Sequence, residues 1–305
     1  MNILESIGNT TLVELKRVVK PNSGRVFVKL EWENPTGSMK DRMALAAIEK
    51  AEQDGKLQRG GTVIEYTGGT TGVSLAFVAA AKGYKIKIVF SDAFSPEKQQ
   101  MMLAFGAEVS IVPSHGKGIT EGLIKEMIER TRAMSQEPGH WWSDQLNNHD
   151  AISGYLQLGE EIWDQTNGGV NAFVHSVGTA HSIHGITEAI WGHNPKIHVA
   201  GVEPTESAVL SGKESGSHNI EGIGIGFIPP LWNPELVNEI ITVSTEEAKD
   251  MARRLAKEEG LFTGTSSGAN VVAALQVAKR LGPNATIVTL IIDSGLRYLS
   301  SDVFR

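Results

Sequence analysis

The 305-residue chain contains no cysteine. Disulfides, thiolate metal sites and a cysteine nucleophile are therefore excluded together. Basic runs are absent as well: 28 Lys and Arg are scattered against 35 Asp and Glu, for a formal charge of −7. Nucleic acid and anionic membrane surfaces are poor partners for such a chain. No apolar run approaches the ~20 residues that a membrane span requires. The opening MNILESIGNTTLVELKRV lacks the basic start, apolar middle and small-residue cleavage site of a secretory signal. A soluble cytoplasmic protein is the expectation. Neither the phosphate-loop pattern of nucleotide hydrolases nor the spaced dinucleotide fingerprint occurs, and GIGIG (222–226) is only a loose glycine cluster.

What is present is strand–helix alternation. Strands are predicted at 26–31, 61–67, 85–90, 108–113, 171–177, 196–204, 239–244 and 285–293. Helices are predicted at 41–54, 72–83, 95–106, 119–134, 153–166, 182–192, 245–260 and 266–282. Ser95 and Pro96 fit the cap and first position of one helix, and Gly83 the end of another. The pattern implies an α/β fold with mostly parallel twisted sheets. The length suits two domains, 1–145 and 146–305, with EPGHWWSDQLNN (137–148) as the crossover.

In parallel sheets, ligands gather where a strand ends and the next helix begins. Four such junctions are rich in Gly, Ser and Thr: NPTGSMKDR (34–42), TGGTTG (67–72), GTAHSIHG (178–185) and GTSSGAN (264–270). Each offers free N–H groups at a positive helix end. Lys40 admits two readings, a solvated surface amine or a desolvated amine able to form a Schiff base with an aldehyde cofactor.

These junctions, in this order, carry a resemblance. IGNTTLVEL (7–15), KLEWENPTGSMKDR (29–42), GFIPP (226–230), GTSSGA (264–269) and DSGLRYLS (293–300) resemble the motifs of the cysteine synthase and cystathionine β-synthase family. These are fold type II (tryptophan-synthase-β-like) pyridoxal-phosphate enzymes. The resemblance runs nearly end to end. It implies pyridoxal 5′-phosphate in a cleft between two α/β domains, with residues 1–35 packing across both, and a homodimer. Carried over by position, Lys40 is the Schiff-base lysine and catalytic base. Ser266 faces the pyridine nitrogen. Gly178, Thr179, Ala180, His181 and Ser182 hold the phosphate. Thr70 stands at the cofactor's 3′-oxygen. Thr67, Gly68, Gly69, Thr71 and Gln145 surround the substrate carboxylate.

A serine at the ring nitrogen makes the ring a weaker electron sink than a carboxylate partner would, which favours elimination at Cβ. The implied reaction is β-replacement on an activated serine through an aminoacrylate, foremost cysteine from O-acetylserine and sulfide or another small nucleophile. The alternative is a β-lyase or dehydratase. A silent binding scaffold has no physical need for Lys40 and Ser266.

The chain departs from the family pattern at four places. TGGTTG replaces TSGNTG, placing Gly68 and Thr70 where serine and asparagine are usual. GTAHS replaces GTGGT, placing Ala180 and His181 at glycine positions. His181 reads equally as a surface side chain or as a cation beside the phosphate. QLNNHDAISGYLQLGEEI (145–162) replaces the segment with a histidine, and Tyr155 is expected in the vacated space. Leu296 stands where the family has glutamate.

Overall fold

The computed structural model describes residues 2–116 and 118–305. Among the described residues ten strands form two sheets. In chain order the strands are β1 (Leu12–Glu14), β2 (Arg25–Leu30), β3 (Thr62–Tyr66), β4 (Lys85–Ser91), β5 (Glu108–Val112), β6 (His140–Trp142), β7 (Ala172–Ser176), β8 (His198–Pro204), β9 (Glu239–Val243) and β10 (Thr286–Ile291). The larger sheet has the order β1-β2-β10-β7-β8-β9 and the smaller β5-β4-β3-β6. Every pairing is parallel except β1 with β2. The apolar runs of β3, β7 and β10 are what a parallel sheet covered on both faces demands, and these strands are almost wholly buried.

The major helices are α1 (Lys40–Gln53), α2 (Thr70–Lys82), α3 (Pro96–Ala104), α4 (Glu121–Met134), α5 (Ser153–Gln165), α6 (His181–His193), α7 (Thr245–Arg254) and α8 (Thr265–Leu281). No helix among the described residues is long and apolar enough to cross a membrane. α7 and α8 cover one face of the larger sheet through Ala248, Met251, Ala274 and Val277. α5 and α6 cover the other through Leu158, Ile162, Ile186 and Ile190. The first helix serves both sheets. Met43 and Ala47 enter the cluster under the larger sheet, while Ala44, Ile48 and Ala51 enter the core of the smaller. The apolar spacing of α1 thus fixes it between two cores, with Lys40 at its leading end.

Three local expectations need correction. The 137–148 stretch is not merely a crossover: β6 lies within it and adds an edge to the smaller sheet beside β3. Three residues are too few to show a period in sequence. The helix expected through residue 260 changes pitch. Past α7 it continues as a single π turn, Leu255–Glu259, closed by Gly260 at φ 73°. The Glu259 carboxylate there accepts the N–H groups of Lys16, Arg17 and Val18. Ser95 occupies the cap position of α3 without capping it. Its hydroxyl instead lies 2.7 Å from a Glu97 carboxylate oxygen and 2.8 Å from the Arg297 carbonyl.

Candidate active site

The turn before α1 is bound to the end of β10. The Met39 N–H donates to the Ile292 carbonyl at 3.0 Å, and the Ser294 N–H to the Gly37 carbonyl at 3.1 Å. Ser38 and Asp293 form an antiparallel bridge. Within the turn, the Thr36 N–H and hydroxyl donate to the Asp41 carboxylate at 2.7 and 2.6 Å. Buried Arg297 donates to the Thr36 carbonyl from the far side. The Ser38 hydroxyl accepts the Lys40 N–H at 3.2 Å. These contacts answer how a flexible sequence presents one amine in one place.

Lys40 is half-buried by area. The protein packed around its amine lowers the pKa from 10.5 to about 8, against the opposing pull of the Asp293 carboxylate. Lys40's charge also acts on His175 and His181, which places the amine near the phosphate-loop candidate.

That loop joins β7 to α6. Gly178 approaches Gly222 so closely that a Cβ there would sit 2.4 Å from the Gly222 carbonyl oxygen, and the Gly224 N–H donates to the Val177 carbonyl at 3.1 Å. The GIGIG cluster, unassigned from sequence, therefore walls the phosphate-loop candidate. Its signal was only glycine spacing, and the partner lies some forty residues away in the chain. Ala180 takes φ 70°, a left-handed conformation better suited to glycine. The first N–H groups of α6 precede the helical ladder and so have no partner within the helix.

His181 is fully buried, so neither the surface nor the cation expectation holds. Its Nε2 lies 3.1 Å from the Asn148 carbonyl, which can only accept, so Nε2 carries the proton. In the neutral ring Nδ1 accepts from the Thr179 hydroxyl at 2.8 Å. Burial first, and the repulsion of Lys40 second, push its pKa down to about 3. His181 is neutral, and it ties the phosphate loop to the segment after Gln145.

The TGGTTG loop joins β3 to α2. The Thr67 hydroxyl oxygen accepts the Gly69 and Gly72 N–H groups at 2.9 and 3.3 Å, so this side chain shapes the loop. Thr70 and Thr71 open α2 with hydroxyls that have no partner among the described residues. Gly69 has φ 125°, and a Cβ there would meet Lys98 Cδ at 2.3 Å. A Cβ on exposed Gly68 would meet Phe94 at 3.0 Å, so a serine at 68 would require that ring to give way. Lys98 is buried, pairs with Glu221 and lies 4.8 Å over the Tyr298 ring. The Tyr298 hydroxyl donates to Asp293 at 2.8 Å, closing the path from the loop back to Lys40. Gln145 donates from Nε2 to the Tyr66 carbonyl at 2.7 Å. Glu65, passed over in the sequence, accepts the N–H groups of Tyr66 and Gln145 and the Trp142 indole at 2.9, 3.0 and 3.2 Å. Burial nevertheless raises its carboxyl to about 7. Its signal was a carboxylate between Ile64 and Tyr66 in a strand.

Ser266 is buried in the first turn of α8 with no hydroxyl partner among the described residues. The next serine anchors this helix start, its hydroxyl accepting the Ile292 N–H at 2.9 Å. Tyr155 is fully buried, but its hydroxyl has no partner among the described residues. Leu296 is 63% exposed, and no contact explains its replacement of glutamate.

A phosphorylated aldehyde fits these residues. One amine is desolvated, one helix start supplies N–H groups ahead of the helical ladder, and the close Gly178–Gly222 approach leaves no room for a side chain at 178. The class follows: the chain belongs to the family of pyridoxal-phosphate dependent enzymes, whose pattern matches residues 3–293. Within that class it is 42% identical to a cysteine synthase of Staphylococcus aureus over 305 residues, covering 99% of this chain and 96% of the relative. The cysteine synthase structure of Entamoeba histolytica superposes with a TM-score of 0.93 at 38% identity, over 99% of this chain and 90% of that one. The O-acetylserine dependent cystathionine β-synthase of Helicobacter pylori gives 0.92 at 34% identity, over 100% and 98%.

Proposed function

We propose that the chain makes cysteine from O-acetylserine and sulfide with pyridoxal phosphate. The observation that carries this reading is the desolvated Lys40 amine in a chain similar from end to end to a cysteine synthase. When bound, the cofactor withdraws electrons from Cα of the amino acid.

The chain's own residues do the rest. Lys40 Nζ would hold the cofactor through its aldehyde carbon, with water as the leaving group, and as a free amine would take the Cα proton and return it. With a pKa of about 8, a useful share of the amine is a free base at neutral pH. The N–H groups opening α6, with Gly178, Thr179, Ala180 and Ser182, would receive the phosphate, and His181 holds the loop through Thr179 and Asn148. Ser266 would meet the ring nitrogen. Thr70, at the family's 3′-oxygen position, and Thr71 offer free hydroxyls, while Thr67, Gly68 and Gly69 set the loop that receives the substrate carboxylate together with Gln145.

The same reading includes two domains, 1–145 and 146–305, and a cytoplasmic homodimer. The separation of strands into two sheets supports the division, although β1 and β2 join the larger sheet and so side with the second domain. The elimination alternative is not favoured by the cysteine synthase relatives.

Purified protein given O-acetylserine and sulfide should release acetate and cysteine in equal amounts, and cysteine alone should yield little pyruvate. Pyruvate and sulfide from cysteine, with no cysteine formed in the first mixture, would overturn the reading.

A further inference from the structure

Behind the phosphate loop lies a second buried histidine, His175, on β7. Its Nε2 is 2.8 Å from the Ser182 hydroxyl oxygen. Its Nδ1 is 3.4 Å from the Asn270 side-chain nitrogen. Asn270 is fully buried on α8, one turn beyond Ser266, and two backbone groups fix which way its amide points. Its oxygen accepts the Ser176 N–H at 2.8 Å, and its nitrogen donates to the Leu290 carbonyl at 3.0 Å. A flipped amide would set oxygen against oxygen and N–H against N–H.

The amide nitrogen therefore presents a hydrogen to His175 Nδ1, which must be the bare, accepting nitrogen. The single imidazole proton then sits on Nε2 and is donated to Ser182 Oγ. A doubly protonated ring would place N–H against N–H at Asn270, so the geometry itself requires neutral His175. Burial, reinforced by the charge of Lys40, acts the same way and lowers its pKa to about 3. With its oxygen already accepting, Ser182 keeps its own proton for another acceptor, and none is found among the described residues.

We propose that His175 is a positioning residue: held by Asn270, it fixes Ser182 as a hydrogen-bond donor to the cofactor phosphate. The proposal rests on the reading that residues 178–182 receive that phosphate. It gives the loop a donor of fixed sense and links the helix of the ring-nitrogen serine to the phosphate site through three side chains. His181, with the opposite arrangement, draws the Thr179 proton away from the loop.

The test is a double-mutant cycle on the full chain, read as the dissociation constant of pyridoxal phosphate and the ³¹P resonance of the bound cofactor. Near-UV circular dichroism of the apoprotein reports folding. Ser182→Ala removes a hydrogen bond to a charged group and should weaken binding by about 10- to 100-fold. His175→Leu keeps bulk without the donor and should weaken binding by a similar factor, shifting the ³¹P signal in the same direction. In the Ser182→Ala background it should add little. His175→Gln, whose Nε2 can take the place of the imidazole donor, should stay within about threefold of wild type.

If Ser182→Ala leaves binding unchanged, the placement of the phosphate is wrong. If Ser182→Ala weakens binding but His175→Leu does not, or adds its full effect to the double variant, the placement stands and the role of His175 falls. Should His175→Leu fail to fold, His175→Gln decides: weakening as large as that of Ser182→Ala overturns the proposal, and near-wild-type binding supports it.

Discussion

At the scale of the residue, Lys40 sets a pH dependence. A lysine in water titrates near 10.5, and only the neutral amine attacks an aldehyde. Desolvation lowers this one to about 8. The rate at which apoprotein takes up pyridoxal phosphate should therefore rise with pH through about 8 and level off above it. Stopped-flow absorbance at limiting cofactor measures this, and a rate still climbing tenfold per unit at pH 9.5 would contradict the assignment. Lys40→Arg should bind the cofactor without the borohydride-reducible link. The neighbouring departures also have local causes. Gly68 is matched by the Phe94 ring that occupies the space a serine would need. Ala180 retains a left-handed backbone without glycine, at a cost of about 1–2 kcal/mol.

At the scale of the element, α1 is placed by close backbone approach as much as by its apolar faces. A Cβ on Gly154, near the start of α5, would lie 2.4 Å from the Arg42 carbonyl oxygen and 3.0 Å from the Met43 nitrogen. Nothing flexible can give way, because the obstructing atoms are backbone. Gly154→Ala should push α5 off the first turn of α1, lowering stability by about 1–3 kcal/mol and weakening cofactor binding with it. Thermal unfolding of apo and cofactor-loaded protein checks both effects; an unchanged melting temperature would show that the helices part without penalty. The same geometry recurs between α5 and α6, where a Cβ on Gly185 would meet the Ile152 carbonyl at 2.6 Å.

At the scale of the whole molecule, a buried ionic cluster joins segments distant in sequence. Arg42 donates to Glu31 at 2.7 and 2.9 Å and to Glu161 at 2.8 and 2.9 Å. Lys29 meets Glu161 at 2.7 Å, and the Asn9 N–H donates to it at 2.9 Å. Burial alone would raise the Glu161 pKa, but the hydrogen bonds and charge of Arg42 and Lys29 overcome it and hold the group at about 2. A carboxylate with a depressed folded pKa stabilises the fold above its unfolded pKa and loses that contribution in acid. Stability should accordingly fall between about pH 4.5 and pH 2. Glu161→Gln leaves Lys29 and Arg42 short of a counter-charge, so it should cost about 3–5 kcal/mol at neutral pH and flatten that acid limb. Urea unfolding at a series of pH values distinguishes the two proteins; parallel curves would show that Glu161 is not the titrating group.

Much of this was legible in the sequence. Apolar runs bounded by glycine and helical spacing located eight strands and eight helices, and each of the four Gly- and Ser-rich junctions stands where a helix begins. What stayed hidden depends on partners. The three residues of β1 and of β6 become strands only because longer strands lie beside them. The GIGIG loop gains meaning from its approach to Gly178. The states of His175 and His181 depend on which atoms face their nitrogens, and no run of letters specifies that.

The phosphate-loop candidate, Gly178–Ser182, contributes no cation of its own. Two uncharged imidazoles, a helix start and a hydroxyl stand where a lysine or arginine could have been placed. Attraction through oriented dipoles at contact range is weakened little by dissolved ions, whereas attraction between exposed charges fades within about 10 Å at 0.1 M salt. A dianion received there, as proposed, should be held almost equally in dilute and in concentrated electrolyte.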